Sequence, residues 1–247
     1  MRITVALNPK ELGEEAARLT AEALTEAVRK KGWARLALST GATQLEAISA
    51  LTKIKLPWQQ IEVFQVCERA GLEENDPASC RRALKDRFAR RVPAARVNFL
   101  DGTEEGMKAA AREIRRAPID AALLGMGEQG QIGFNVSPAD FEARDAYISL
   151  QSAEKTLQTV SICEMMRMNR VIICAPYGIH AENVWQVLTH RLSEAYPVTA
   201  LKLHRNVDFL LDRESAAKIS ADLAARFNPE LEMYRMMNAP EKNGTEE

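Results

Sequence analysis

Long hydrophobic runs are missing from this sequence. No stretch approaches the roughly 20 apolar residues that a bilayer span requires, so no membrane helix is expected. The opening segment, Met1–Leu7, is too short for a signal-peptide core and leads straight into a helical pattern. An excess of one charge is missing too: 33 Lys and Arg against 34 Asp and Glu leave a formal net charge of −1. With no strongly basic stretch, neither nucleic acid nor anionic lipid is an expected partner. Cysteine is scarce and scattered, and Cys67, Cys80, Cys163 and Cys174 form no C-x-x-C pair. The three histidines do not fall at zinc-finger spacing either, so no metal is implied. At this length the cysteines read as reduced, mostly buried thiols of a cytoplasmic protein. A composition of 46% hydrophobic and 27% charged residues excludes a disordered or collagen-like chain, and 247 residues suffice for a sizeable core.

What the chain does contain is an alternation of short apolar runs and amphipathic stretches. Ile3–Leu7, Arg35–Leu38, Ile61–Val66, Val97–Leu100, Ile119–Leu124, Val171–Ala175 and Val207–Leu211 read as strands, with Thr159–Ile162 as a further short one. Helices are expected over 9–30, 44–51, 104–116, 180–190 and 214–227, with shorter ones after Ser79 and before Met168. A polar segment fills the region near 140–158. Strands separated by helices imply βαβ units and parallel pairing. The expectation is therefore one α/β domain over residues 1–238, doubly wound, with a mostly parallel sheet and helices on both faces. A polar tail, 239–247, would follow, and a homo-oligomer is compatible with this reading. In such a sheet the ligand crevice lies outside the carboxyl ends of the strands.

Three segments at those ends carry candidate chemistry. After Leu38, the loop Ser39-Thr40-Gly41-Ala42-Thr43 opens a helix with three hydroxyls, a small backbone and free amides, which suits a phosphate dianion. The plainer reading is a set of helix caps. After Leu124 comes a loop with four glycines between Gly125 and Gly133, which needs unusual dihedrals or a close ligand. It contains G-x-G-x-x-G, but not after a first strand, and the residues leading to Asp145 do not read as helix then strand. A dinucleotide is therefore not expected, and no cofactor is implied. The third segment is Cys67-Glu68-Arg69, read either as site residues or as a salt-bridged pair beside a small buried thiol. Of the histidines, His180 and His190 fall at helix ends, and His204 is the better site candidate.

Together, and in this order, these motifs resemble the glucosamine-6-phosphate deaminase family, which shares a superfamily with 6-phosphogluconolactonase. S-T-G-A-T-Q is similar to the family's S/P-T-G-S-T-P, and F-Q-V-C-E-R-A-G-L to its F-N-M-D-E-Y-V-G-L. N-D-P-A-S resembles H-P-x-S, and G-M-G-E-Q-G-Q-I-G-F-N resembles G-x-G-x-D-G-H-I-A-F-N. The segment ending at His204 resembles S-x-L-x-x-H-P. The similarity runs from about residue 3 to 225. It implies a sugar-phosphate ligand, with the phosphate held at Ser39, Thr40, Gly41, Ala42 and Thr43.

The departures bear on activity. Family deaminases open the sugar ring with a His and shift a proton with an Asp, which requires groups that exchange protons near neutral pH. Here Cys67 matches the proton-transferring Asp, Gln129 the loop Asp and Gln131 the ring-opening His. Val136 replaces the acid after F-N, while Arg205 and Asn206 replace a proline and a phosphate-contacting lysine. Glu68 and His204 are retained. The lactonase resemblance, through Glu68-Arg69, places its catalytic His at Gln131 as well. Three readings follow: a sugar-phosphate binder inactive as a deaminase, an isomerase, deaminase or lactonase with a rearranged site, or a structural or interaction protein that keeps only the fold.

Overall fold

The computed structural model describes residues 1–153 and 155–227. Strand β1 (Arg2–Ala6) leads into helix α1 (Pro9–Lys31). Asn8 caps α1 by accepting the Glu11 amide at 3.0 Å. Gly32 ends it at φ +81°, a left-handed conformation that a side chain would strain. Strand β2 (Ala34–Leu38) follows, then a 3₁₀ turn at Ala42–Gln44, α2 (Leu45–Leu51), β3 (Ile61–Gln65) and β4 (Cys67–Arg69). Helix α3 (Cys80–Leu84) continues as a π-helical turn, Lys85–Ala89, before β5 (Arg96–Asn98), α4 (Glu104–Ile114) and β6 (Ala121–Gly125). The chain goes on through β7 (Tyr147–Ser152), β8 (Lys155–Val160), α5 (Ile162–Met165) and β9 (Val171–Ala175). It finishes with α6 (Ala181–Thr189), β10 (Val207–Asp212) and α7 (Ala221–Phe227).

Seven strands form a parallel sheet in the order β1-β10-β9-β6-β2-β3-β5. Strands β2, β9 and β10 are buried at every position, which is why they read as continuous apolar runs. Their alternate side chains feed two cores. Ala37, Phe64, Leu124, Ile173 and Phe209 pack with residues of α4, α5 and α6 on one face. Leu36, Val63, Leu123, Ile172 and Leu210 pack with α1 and α2 on the other. Each fully buried Leu or Phe contributes about 1.5–3 kcal/mol, so the doubly wound expectation corresponds to a core on each side of one sheet. From β2 the chain runs outward through β3 and β5, then returns at β6 to the opposite flank of β2. Between the carboxyl ends of β2 and β6 the winding reverses, and that switch point fixes where a ligand sits.

Two regions differ from the sequence expectation. The polar segment near 140–158 contains a hairpin, β7 and β8, and β4 pairs antiparallel with β8 to make a second, three-stranded sheet. Half-exposed strands carry no continuous apolar run, and their order comes from pairing across the chain. The final helix, expected from Glu214, begins at Ala221. Asp212 and Ser215 instead close a turn, the Ser215 amide donating to Asp212 at 2.8 Å. The tail expected at 239–247 lies outside the described residues.

Candidate functional site

A crevice of about 800 Å³ opens at the switch point, between the loops that follow β2 and β6 and under β4, α3 and the start of α6. On the β2 side, the Ser39 amide continues the ladder to Leu123 at 3.2 Å, and the chain then turns away. Ser39 and Thr40 are buried, while Gly41, Ala42 and Thr43 face the crevice. Among the described residues, the amides of Gly41, Ala42 and Thr43 donate to no other group. Gln44 braces the loop from behind, its carboxamide donating to Ser39 Oγ at 3.0 Å, and its Oε1 is buried without a donor. Arg87, carried by the π-helical turn, donates to the Thr40 carbonyl at 2.7 Å and also lines the crevice.

The glycines act through space as much as through dihedrals. Gly41 has φ −64°, open to any residue, and a Cβ there would come to 3.0 Å from Gln44 Oε1. Close approach is what its small size provides. At Gly125 a Cβ would overlap both Gln44 Nε2 and Thr43 Oγ1, so the two loops can meet only over a glycine. Gly130 and Gly133 adopt φ +70° and +59°, as the glycine density foretold.

Gln131 folds back on its own loop. Its Oε1 accepts the Gln129 amide at 2.8 Å, and its backbone carbonyl accepts Gly127 at 2.9 Å. Gln129 is exposed at the rim, and Val136 lies beyond the crevice lining. Glu68 is buried and saturated, with five donors: Gln65 Nε2, Ser79 Oγ and the amides of Arg69, Cys80 and Arg81, the last at 2.6 Å. It ties α3 to β4 and does not line the crevice. The expected Glu68–Arg69 ion pair does not form. Arg69 instead reaches the Ala78 carbonyl at 2.6 Å and lies 5.1 Å over the Phe134 ring. Cys67 does line the crevice, and its hydrogen bond with Cys80, together with burial, pushes its thiol well above the ordinary range.

The histidines fall out differently from expectation. His204 is buried, with Nε2 2.7 Å from the Met168 carbonyl and Nδ1 accepting the Asn206 amide at 3.1 Å. It precedes β10, so it sits at the amino edge of the sheet, far from the crevice, together with Arg205 and Asn206. His190 is exposed at the end of α6. His180 is the crevice histidine. It is 3% exposed, its Nδ1 has no partner, and desolvation holds its imidazole below the ordinary histidine pKa. His180, Arg87 and Cys80 are crevice residues that sequence reasoning missed. His180 lies just past the end of β9, where the strand-end rule looks. Arg87 and Cys80 gave no local signal, because only the packing of α3 brings them in.

Comparison with known proteins bears on this arrangement. A sequence model of the family described as glucosamine-6-phosphate isomerases/6-phosphogluconolactonase matches residues 7–207. Glucosamine-6-phosphate deaminase 1 of Bacillus subtilis strain 168 is 28% identical over 243 residues, covering 88% of this chain and 99% of the relative. The glucosamine-6-phosphate deaminase of Clostridium acetobutylicum is 24% identical over 231 residues, covering 82% and 95%. Among solved structures, a monomeric glucosamine-6-phosphate deaminase superposes with a TM-score of 0.80 at 28% identity, covering 88% of this chain and 99% of that one. A 6-phosphogluconolactonase from Shewanella baltica, 22% identical, shares the fold with a TM-score of 0.74 over 86% and 97% of the two chains. A family match across the two central loops and most of the sheet leaves one conclusion: the chain belongs to the glucosamine-6-phosphate isomerase and 6-phosphogluconolactonase family.

Proposed function

We propose that the crevice binds a hexose or amino-sugar phosphate, with the phosphate on the 39–43 loop, and that the chain does not deaminate that ligand at a useful rate. The observation that carries the reading is a contrast between two adjoining loops. The loop after β2 presents three unengaged amides, together with the hydroxyls of Thr40 and Thr43, beside the Arg87 guanidinium, an arrangement matched to a dianion. The loop after β6 presents Gln129 and Gln131, whose carboxamides have no usable proton-transfer pKa. At the position matching the family's proton-transferring Asp stands the neutral thiol of Cys67. A positioned acid or base contributes about 10²–10⁴-fold in rate, so losing two of them removes several orders of magnitude. The test pairs two assays on the unmodified protein. Glucosamine 6-phosphate raises the melting temperature, while ammonia release stays far below the usual enzyme range of about 1–10³ s⁻¹. No thermal shift sinks the binding reading, and turnover in that range sinks the inactivity reading.

His180 favours a second reading, an enzyme with rearranged acid–base groups. A neutral, buried imidazole with a free ring nitrogen in the crevice is the kind of group that exchanges a proton near neutral pH. Under that reading, isomerisation or lactone hydrolysis of a sugar phosphate is measurable and disappears in His180→Gln. Equal rates in the two proteins would remove it.

A further inference from the structure

The crevice floor holds a feature outside the sugar-phosphate reading. Cys67 opens β4 and Cys80 opens α3, and both line the crevice. Glu68, the residue after Cys67, accepts the amides of Cys80 at 2.9 Å and Arg81 at 2.6 Å, which clamps the first turn of α3 against β4 and sets the two cysteines side by side on the crevice wall. Arg69 Nη1 stands 3.8 Å from Cys80 Sγ. We propose that Cys80, with Cys67 behind it, is a thiol–disulfide exchange site for small-molecule disulfides.

The hydrogen bond from Cys67 lowers the Cys80 thiol from its ordinary value, and Arg69 and Arg87 add to this against burial and the Glu68 charge. Cys80, the more exposed thiol and the one beside the Arg69 guanidinium, is the attacking thiolate, and the buried Cys67 is the protonated resolving thiol. The Cys80 thiolate attacks one sulfur of the small disulfide, forming a mixed disulfide and expelling a thiolate. Cys67 passes its proton to that thiolate, then attacks the Cys80 sulfur and expels the second thiolate. Two electrons leave the protein, one Cys67–Cys80 disulfide forms, and the reagent departs as two reduced thiols. The other cysteines are placed differently. Burial pushes Cys174 up to about 12, and Cys163 Sγ is engaged with the Phe141 carbonyl at 3.1 Å. The inference does not depend on sugar-phosphate binding.

The experiment exposes the folded, full-length protein to glutathione disulfide and maps every cysteine by peptide mass spectrometry over time. Cys80 reacts at least about tenfold faster than Cys163, and the wild-type protein ends with a Cys67–Cys80 disulfide that dithiothreitol reverses. Cys67→Ser stops at a glutathione adduct on Cys80, and Cys80→Ser leaves Cys67 reduced. The wild-type time course decides even if a variant folds poorly. Reaction first at Cys163, no reaction at Cys80, or a Cys80 adduct that Cys67 never resolves would each overturn the proposal.

Discussion

The two edges of the central sheet treat their polar groups in opposite ways. At the amino edge every buried charge is matched. Arg35, 2% exposed, donates to Glu62 at 3.1 Å and to the carbonyls of Ile114, Ala117 and Glu113. Asp120 accepts from Lys31 and from the Arg35 amide, both at 2.8 Å, and Asp208 accepts from Arg2 and Arg170. At the carboxyl edge the carboxylates of Glu68 and Asp212 are matched as well, but neutral polar groups facing the crevice stay open. The described residues include five buried side-chain atoms without a partner, among them Gln44 Oε1 and His180 Nδ1 in the crevice, and none of the five lies at the amino edge. An unmatched buried polar atom costs about 1–3 kcal/mol. Such groups cluster where a ligand can complete them, whereas the closed amino edge serves stability. His204, closed on both ring nitrogens, belongs to the second class, and His180 to the first.

The contrast breaks most visibly at Arg35. Arg35→Leu takes the cationic partner from Glu62, which keeps only Asn98, and leaves the Ile114 and Ala117 carbonyls without their donor, so urea denaturation should show a loss of about 3–5 kcal/mol with ligand binding by the surviving fold unchanged. Glu68→Gln comes next. A carboxamide cannot accept from five donors, and a loss of about 2–3 kcal/mol is expected, with faster hydrogen exchange at the start of α3. Gly125→Ala drives a Cβ into Gln44 and Thr43 and should cost about 1–3 kcal/mol. Its distinguishing result is that glucosamine 6-phosphate no longer raises the melting temperature. His180→Gln has the smallest effect on stability, within about 1 kcal/mol near neutral pH. It sharpens the comparison through pH instead. Because His180 is held below the ordinary histidine pKa of about 6.5, the unfolded chain takes up that proton first as pH falls. The stability conferred by the neutral ring is full above about pH 6.5 and is lost as pH drops through the folded-state value. Denaturation of the variant between about pH 7 and 5 should show a flatter slope than the wild type.

Much of this was legible in the residues. The buried strands of a parallel sheet carry their own signal as unbroken apolar runs such as Val171–Ala175, and their ends mark the crevice. The density of glycine after Leu124 foretold the positive φ angles at Gly130 and Gly133. His204 was misplaced although the sequence held the answer, since residues that precede a parallel strand lie at the amino edge. Other features had no local signature. The ribbon of β7 and β8 is half-exposed and polar, and its order comes from β4, far away in the chain. Arg87 and Cys80 reach the crevice because Glu68, itself a site candidate on sequence grounds, is consumed in anchoring α3.

The most direct test reads the two edges at once. Backbone amide resonances of the isotopically labelled protein, recorded with and without glucosamine 6-phosphate, report which edge meets the ligand. The amides of Gly41, Ala42 and Thr43 should shift and gain protection from exchange, while those of Asp120, Asn169 and Asn206 at the amino edge stay unchanged. A saturating response confined to the amino edge, or none at the 41–43 amides, would contradict the account.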